Sequence, residues 1–201
     1  MPVPASKAEL RSRILAARRA MPLRARRAAD ATLIHALVQA LVTLVPGSTD
    51  RATVAAYVPF GTEPGASASP TLPQALADAG LRVLLPVVLA DLDLDWAEYA
   101  GPESLAPAGR GLWEPRGPRL GPGAIAAVSA VVAPGVAVDR SGLRLGRGGG
   151  SYDRALTRPP AAVPVIVLLY DGELTPRLPA EPHDRRVTAV VTPSHGLTRL
   201  P

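Results

Sequence analysis

Three runs of strand length, 127–133, 163–170 and 187–192, are almost wholly apolar, so both faces of each must be covered when the chain folds. Strands of that kind occur where helices pack on each side of a parallel sheet. The runs 53–58 and 82–88 follow the same rule, the second despite Pro86, and 94–99 reads as one more strand. Helical segments lie between them. The alternation implies a three-layer, Rossmann-like α/β fold, a largely parallel sheet flanked by helices.

The helical signals are local. Ser6-Lys7-Ala8-Glu9 is a capping box, with Ser6 as N-cap and Glu9 at N3, and Leu10, Ile14 and Ala17 carry an apolar face to about residue 21. At the helical period Lys7, Arg11 and Arg18 fall within about 40° of one another beside Ile14, so a basic stripe borders the buried face. After Pro22 the spacing of Leu33, Ile34, Leu37, Val38 and Leu41 predicts a helix over 23–44, stopped by Pro46-Gly47. A short helix over 71–79 ends at Gly80, and the Pro- and Gly-rich stretch 100–123 is expected to be a long loop. These elements make one domain of 1–201, with a helical part 6–45 and an α/β core 52–195.

The 201 residues, 47% of them hydrophobic, suffice for one core. With no cysteine, disulfides, thiolate catalysis and Cys-ligated zinc are excluded. No apolar leader or membrane-length segment is evident, so a cytoplasmic protein without membrane partners is expected. The net charge is +5, and seven arginines and Lys7 fall in the first thirty residues, which raises a nucleic-acid reading through Arg18, Arg24, Arg26 and Arg27. Aromatics oppose it: they make up 3% of the chain and the basic run holds none, so stacking platforms are scarce. A small polyanionic substrate accounts for the charge as well. Lys7 is the only lysine, beside 21 arginines; a compact ammonium suits a phosphate, and chance suits a single residue equally.

Residues 142–154 hold five glycines, three arginines and an aspartate. Glycines let backbone N–H groups approach an oxyanion, and arginines supply forked donors and countercharge. Gly148, Gly149 and Gly150 would form the cradle, 151–158 has modest helical potential before Pro159-Pro160, and Asp153 would hold magnesium. The loop follows the strand at 127–133, as ligand-binding loops of open α/β sheets do. Neither the Walker spacing nor GxGxxG is present, so the loop alone does not separate a phosphate site from a surface turn.

Six collinear segments carry a resemblance to a known family. They are Lys-Ala-Glu-Leu-Arg at 7–11, Ala-Tyr-Val-Pro-Phe-Gly-Thr-Glu at 56–63, Trp-Glu-Pro at 113–115, Pro-Gly-Val-Ala-Val-Asp at 134–139, the loop at 142–154, and Leu-Pro-Ala-Glu-Pro-His-Asp at 178–184. Together they resemble the 5-formyltetrahydrofolate cyclo-ligases, over nearly the whole chain. The resemblance implies an α/β fold and the ATP- and magnesium-dependent cyclisation of 5-formyltetrahydrofolate to 5,10-methenyltetrahydrofolate, through a phosphorylated formyl group, with release of ADP and phosphate. It implies that Lys7 and Arg11 hold ATP phosphates and that Arg144, Leu145, Gly146, Arg147, Gly148, Gly149, Gly150, Ser151 and Tyr152 wrap the nucleotide. Arg147 through Ser151 would also face the folate, with Val58 and Glu63. Arg147 and Tyr152 become the catalytic candidates, and Asp153 and Asp184 the magnesium ligands. A monomer or weak homodimer is expected.

Other readings stay open at this point. Glu63 could be a turn residue before Pro64, Asp184 a turn cap, and Tyr152 core packing. Ser151 stands where the family commonly has a tyrosine, which leaves a non-catalytic nucleotide- or folate-binding homologue as the alternative, ahead of a nucleic-acid-binding protein.

Overall fold

Ser6 caps the first helix, α1 (Lys7–Ala20), as its spacing predicts: its Oγ accepts from the Glu9 N–H at 3.2 Å, and Glu9 Oε2 accepts from the Ser6 N–H at 2.8 Å. The structure is a computed structural model that describes residues 6–45, 51–181 and 185–201. Helix α2 (Leu23–Leu44) buries Leu33, Ile34, Leu37 and Leu41; its expected terminator, Pro46-Gly47, lies outside the described residues. Helix α3 (Leu72–Asp78) follows Thr71 and is closed by Gly80, whose φ of +84° favours a residue without a side chain. Helix α4 (Ser151–Ala155) is shorter than the 151–158 stretch predicted.

In chain order the strands are β1 (Thr53–Ala55), β2 (Arg82–Val88), β3 (Leu94–Glu98), β4 (Leu105–Pro107), β5 (Trp113–Pro115), β6 (Ala130–Ala133), β7 (Ala137–Asp139), β8 (Arg144–Leu145), β9 (Val165–Leu168), β10 (Leu174–Thr175), β11 (Ala189–Thr192) and β12 (Gly196–Arg199). Seven form one sheet in the order β12-β11-β9-β6-β1-β2-β3. The five central strands are parallel, and β3 and β12 close the edges antiparallel. Strand β10 joins β7 and β8 in a small second sheet.

Several expectations need correction. The run 53–58 is strand only to Ala55, because the chain turns away before Pro59 once Ala56 has donated to Leu84 O at 2.9 Å. Residues 100–123 are not a bare loop: β4 and β5 pair as a hairpin, and a 3₁₀ turn, Pro122–Ala127, follows. Strand β12, with its mixed pattern at a sheet edge, was not expected. Pro86 is tolerated because β1 pairs only with Arg82–Leu84, so the missing N–H faces no partner strand.

Both faces of the central strands are covered, as their apolar runs require. Val54, Val132 and Ile166 join α2 and α3 in one apolar cluster, while Ala55, Val131, Val165 and Val167 point the other way, to Trp96, Ile125 and Ala155. A third cluster packs Leu10 and Ile14 of α1 on Val136, Ala137 and Leu145 of the small sheet. That contact fixes α1 beside the glycine loop.

Candidate active site

Strand β1 connects toward β2 on one side and β6 toward β9 on the other, so the strand order reverses between β1 and β6. In open parallel sheets that reversal leaves a crevice beyond the carboxyl ends. A cavity of about 450 Å³ occupies it here. Tyr57, Val58, Phe60 and Glu63 enter from the segment after β1, Pro134 and Gly135 from the turn after β6, and 144 with 146–153 from the glycine loop. Gly135 must be glycine, because a Cβ there would stand 2.6 Å from Val167 Cγ1. Val88, Leu92, Trp113 and Glu114 form the remaining wall.

The glycine loop turns as its composition predicts. Gly148 and Gly150 have φ of +101° and +72°, and the chain passes from Gly150 directly into α4. Arg11 Nε donates to Gly146 O at 2.8 Å, tying α1 to the loop. Arg144 is buried: Nη1 donates to Pro134 O at 3.0 Å, and Nη2 lies 2.5 Å from Asp153 Oδ1. Its guanidinium carbon lies 6.0 Å from the centre of the Tyr152 ring. Leu145 sits in the α1 cluster, which makes it a support for the loop rather than a cavity wall. The Tyr152 ring packs into the core, and its buried hydroxyl has no hydrogen-bond partner among the described residues. Burial first, and then the Glu63 charge, raises its pKa, with Arg144 opposing, so the group remains a neutral donor. Tyr152 is thus both packing and cavity lining.

Glu63 and Arg147 meet across the cavity. Arg147 Nε lies 3.0 Å from Glu63 Oε1, and its guanidinium stacks 4.4 Å from the centre of the Phe60 ring. Glu63 is a turn residue and a site residue together, because its Oε2 accepts from the Phe60 N–H at 3.1 Å while its N–H donates to Phe60 O. Burial raises the Glu63 pKa, with Arg147 and the Phe60 N–H opposing.

The other predicted residues divide. Lys7 Nζ lies 3.2 Å from Glu181 Oε2, at the end of α1 that borders the loop. Ser151 is the first residue of α4 and lines the cavity. Asp184 lies outside the described residues. Arg18, the first arginine of the nucleic-acid reading, is 1% exposed and points inward to Glu173, so it cannot meet an external polyanion. Phe60, Leu92, Trp113 and Glu114 had no role assigned from sequence. Trp113 and Phe60 lie in the motifs at 113–115 and 56–63, and a scarce aromatic inside each motif was the available signal.

Among the described residues no group of three or more His, Asp or Glu side chains converges on a metal site. Magnesium in nucleotide sites uses one or two carboxylates with phosphate oxygens and water. Asp153, in the cavity wall and only partly buried, fits that pattern. No helix among the described residues is long and apolar enough to cross a membrane.

A doubly covered, mostly parallel sheet, with an arginine- and glycine-lined crevice at its switch point, defines an α/β protein whose crevice has the chemistry to receive an anion. Residues 3–193 match the model of the 5-formyltetrahydrofolate cyclo-ligase family. The chain is 41% identical to the 5-formyltetrahydrofolate cyclo-ligase of Mycolicibacterium smegmatis over 98% of both chains, and 32% identical to that of Escherichia coli K12 over 71% of this chain and 78% of that one. An NMR structure of 5,10-methenyltetrahydrofolate synthetase from Aquifex aeolicus superposes with a TM-score of 0.75 at 29% identity, covering 96% of this chain and 92% of that one. A second synthetase, from Mycoplasma pneumoniae, shares the fold with a TM-score of 0.66 at 21% identity, over 92% and 98% of the two chains. The chain belongs to the 5-formyltetrahydrofolate cyclo-ligase family.

Proposed function

We propose that this protein converts 5-formyltetrahydrofolate to 5,10-methenyltetrahydrofolate with consumption of ATP. The observation that carries the reading is a single cavity with two unlike ends. Arg147 and the N–H groups of Gly148 to Gly150 offer an anion site, and Val88, Leu92 and Trp113 offer an apolar wall for a flat ring. The formyl oxygen attacks the γ-phosphorus and ADP leaves; N10 then attacks the formyl carbon, phosphate leaves, and the N10 proton is lost. Such chemistry asks the protein for positioning and charge neutralisation rather than a nucleophile, which suits a chain without cysteine.

The roles divide along the cavity. Lys7, Arg11 and Arg144 through Tyr152 hold the triphosphate, and Arg147 neutralises charge on the transferred phosphoryl group. The unpartnered Tyr152 hydroxyl donates to a ligand oxygen. Val58 and Glu63 meet the folate, and 147–151 faces both ligands. Asp153 holds magnesium, which supplies charge neutralisation on the phosphates when bound; Asp184 is proposed as a second ligand on the family pattern alone. The proposed substrates are two small molecules, with no membrane or nucleic acid involved, acted on by a cytoplasmic monomer or weak homodimer.

The test mixes purified protein with 5-formyltetrahydrofolate, ATP and magnesium and follows the absorbance of the methenyl product. Turnover that needs both ATP and magnesium supports the reading. A folded protein that binds ATP and folate without forming product overturns it in favour of a non-catalytic homologue.

A further inference from the structure

Leu92 is the one residue other than glycine with a positive φ among the described residues, at +66°. A leucine there is strained, and strain of this kind persists only where the surroundings hold it. The holding groups are evident. Leu92 N–H donates to Leu89 O at 2.9 Å, and Leu89 N–H donates to Asp93 O at 2.9 Å, closing the tight turn between β2 and β3. Asp93 then receives both arms of Arg158, at 3.1 and 2.5 Å, and Arg154 Nη2 donates to Asp91 O at 3.3 Å. The hydrogen bond from Arg158 also lowers the Asp93 pKa, against desolvation and with help from the Leu94 N–H. Both arginines come from α4 and the turn after it, the segment that begins where the glycine loop ends.

The strained turn directs an apolar side chain to the cavity. Leu92 is 39% exposed, and the other large apolar side chains exposed on that wall are Val88 at 39% and Trp113 at 48%. Among the described residues nothing covers these three side chains, and exposed apolar groups of this size gather where a ligand covers them.

We propose that Leu92 is a specificity-determining residue for the folate substrate, held in its left-handed conformation so that its side chain presses on the flat ring system, and that the Asp93–Arg158 pair is a latch fixing this wall to the glycine loop. This rests on the reading given under Proposed function. The latch sets the separation between the apolar wall and the anion cradle, and with it the distance from the formyl group to the phosphoryl donor. Leu92 touches the substrate; Arg158 is a positioning residue that acts through Asp93.

Leu92→Gly removes the side chain and relieves the strain, and Leu92→Asn keeps a residue tolerant of that conformation while making the wall polar. Both variants should keep or exceed the wild-type Tm while the KM for 5-formyltetrahydrofolate rises about tenfold, with the KM for ATP within twofold. Arg158→Ala should raise the folate KM and lower kcat together, because the wall and the cradle then lose their fixed separation. If wild type turns over and both Leu92 variants keep the folate KM within twofold, the inference falls while the cyclo-ligase reading stands. If wild type forms no product, the reading itself has failed, and binding of 5-formyltetrahydrofolate followed by tryptophan fluorescence decides the inference: unchanged affinity in both Leu92 variants overturns it.

Discussion

Arg147 is held by Glu63: its Nε lies 3.0 Å from the buried Glu63 carboxylate, and the guanidinium rests on Phe60. These contacts restrict a rotamer-rich arginine at the cavity, which lowers the entropic cost of using it. Arg147→Ala should reduce kcat about 100- to 1,000-fold with Tm changed little, since the side chain is 41% exposed. Steady-state kinetics and a thermal melt check this; a loss of less than tenfold would remove Arg147 from the phosphoryl-transfer step.

Glu63 also carries a pH signature. Its pKa is raised above 4.5, chiefly by burial, so the folded chain binds this proton more tightly than the unfolded chain. Ionising it therefore costs stability as pH rises through the window just above 4.5. Glu63→Gln should flatten that part of the stability curve and raise the folate KM. Urea titrations between pH 4.5 and 7 would show the change of slope.

Asp139 shows the opposite sign. Burial alone would raise its pKa, but bonds from the Ser141 hydroxyl and from the N–H groups of Leu178, Leu143 and Ser141 outweigh it, and the net shift is downward from 3.8. Oδ1 accepts from Ser141 and Leu143, and Oδ2 from Leu178 N–H at 2.9 Å, so one carboxylate pins the turn before the glycine loop to the segment that leads to Glu181. The stabilisation is complete above pH 3.8 and is lost as pH falls through the lowered pKa. Asp139→Ala should cost about 2–4 kcal/mol at neutral pH and reduce the steepness of the acid limb below pH 3.8. Acid denaturation of the two proteins side by side measures both effects.

Asp153 pairs with Arg144, and under the proposed function it also holds magnesium. Asp153→Asn should raise the magnesium concentration for half-maximal rate about tenfold or more, and lower stability by about 1–2 kcal/mol because Arg144 stays buried without its countercharge. A rate that saturates at the wild-type magnesium concentration would free Asp153 from the metal role.

The sheet was legible because continuous apolar runs such as 163–170 admit few alternatives, and the capping box at Ser6 fixed α1 to the residue. Composition made the turns of the glycine loop at Gly148 and Gly150 legible, but did not by itself separate a phosphate site from a surface turn. Less legible were features set by distant pairing. Strand β12 has a partly exposed edge pattern, and the β4–β5 hairpin lies in a stretch whose prolines and glycines read as loop. The Glu63–Arg147 pair spans 84 positions, and the turn at Leu92 is held by Arg158, so neither could be read from spacing. Arg18 misled because its helical position placed it beside the basic stripe, whereas a carboxylate 155 residues away draws it inward.

That inward pair is open to a decisive measurement. Arg18 donates from Nε and Nη2 to Glu173 at 2.7 and 2.8 Å, while Nη2 also reaches Gly135 O at 2.9 Å and the guanidinium lies 5.7 Å from the Tyr170 ring centre. Burial opposes the arginine's charge and Glu173 outweighs it, whereas burial dominates at Glu173 and raises its pKa despite Arg18. Each partner alone is therefore costly, and Arg18→Met or Glu173→Gln should lose about 3–5 kcal/mol. The double variant Arg18→Met/Glu173→Met should lose less than the sum by at least about 1 kcal/mol, because it leaves no unpaired buried charge. It should not return to wild type, since the Tyr170 N–H, now 2.8 Å from Glu173 Oε2, and Gly135 O would both lose a partner. Gly135 lines the cavity, so the same double variant should also raise the KM for one or both substrates. Additive losses in urea, with kinetics unchanged, would show that the pair neither acts as a unit nor supports the floor of the site.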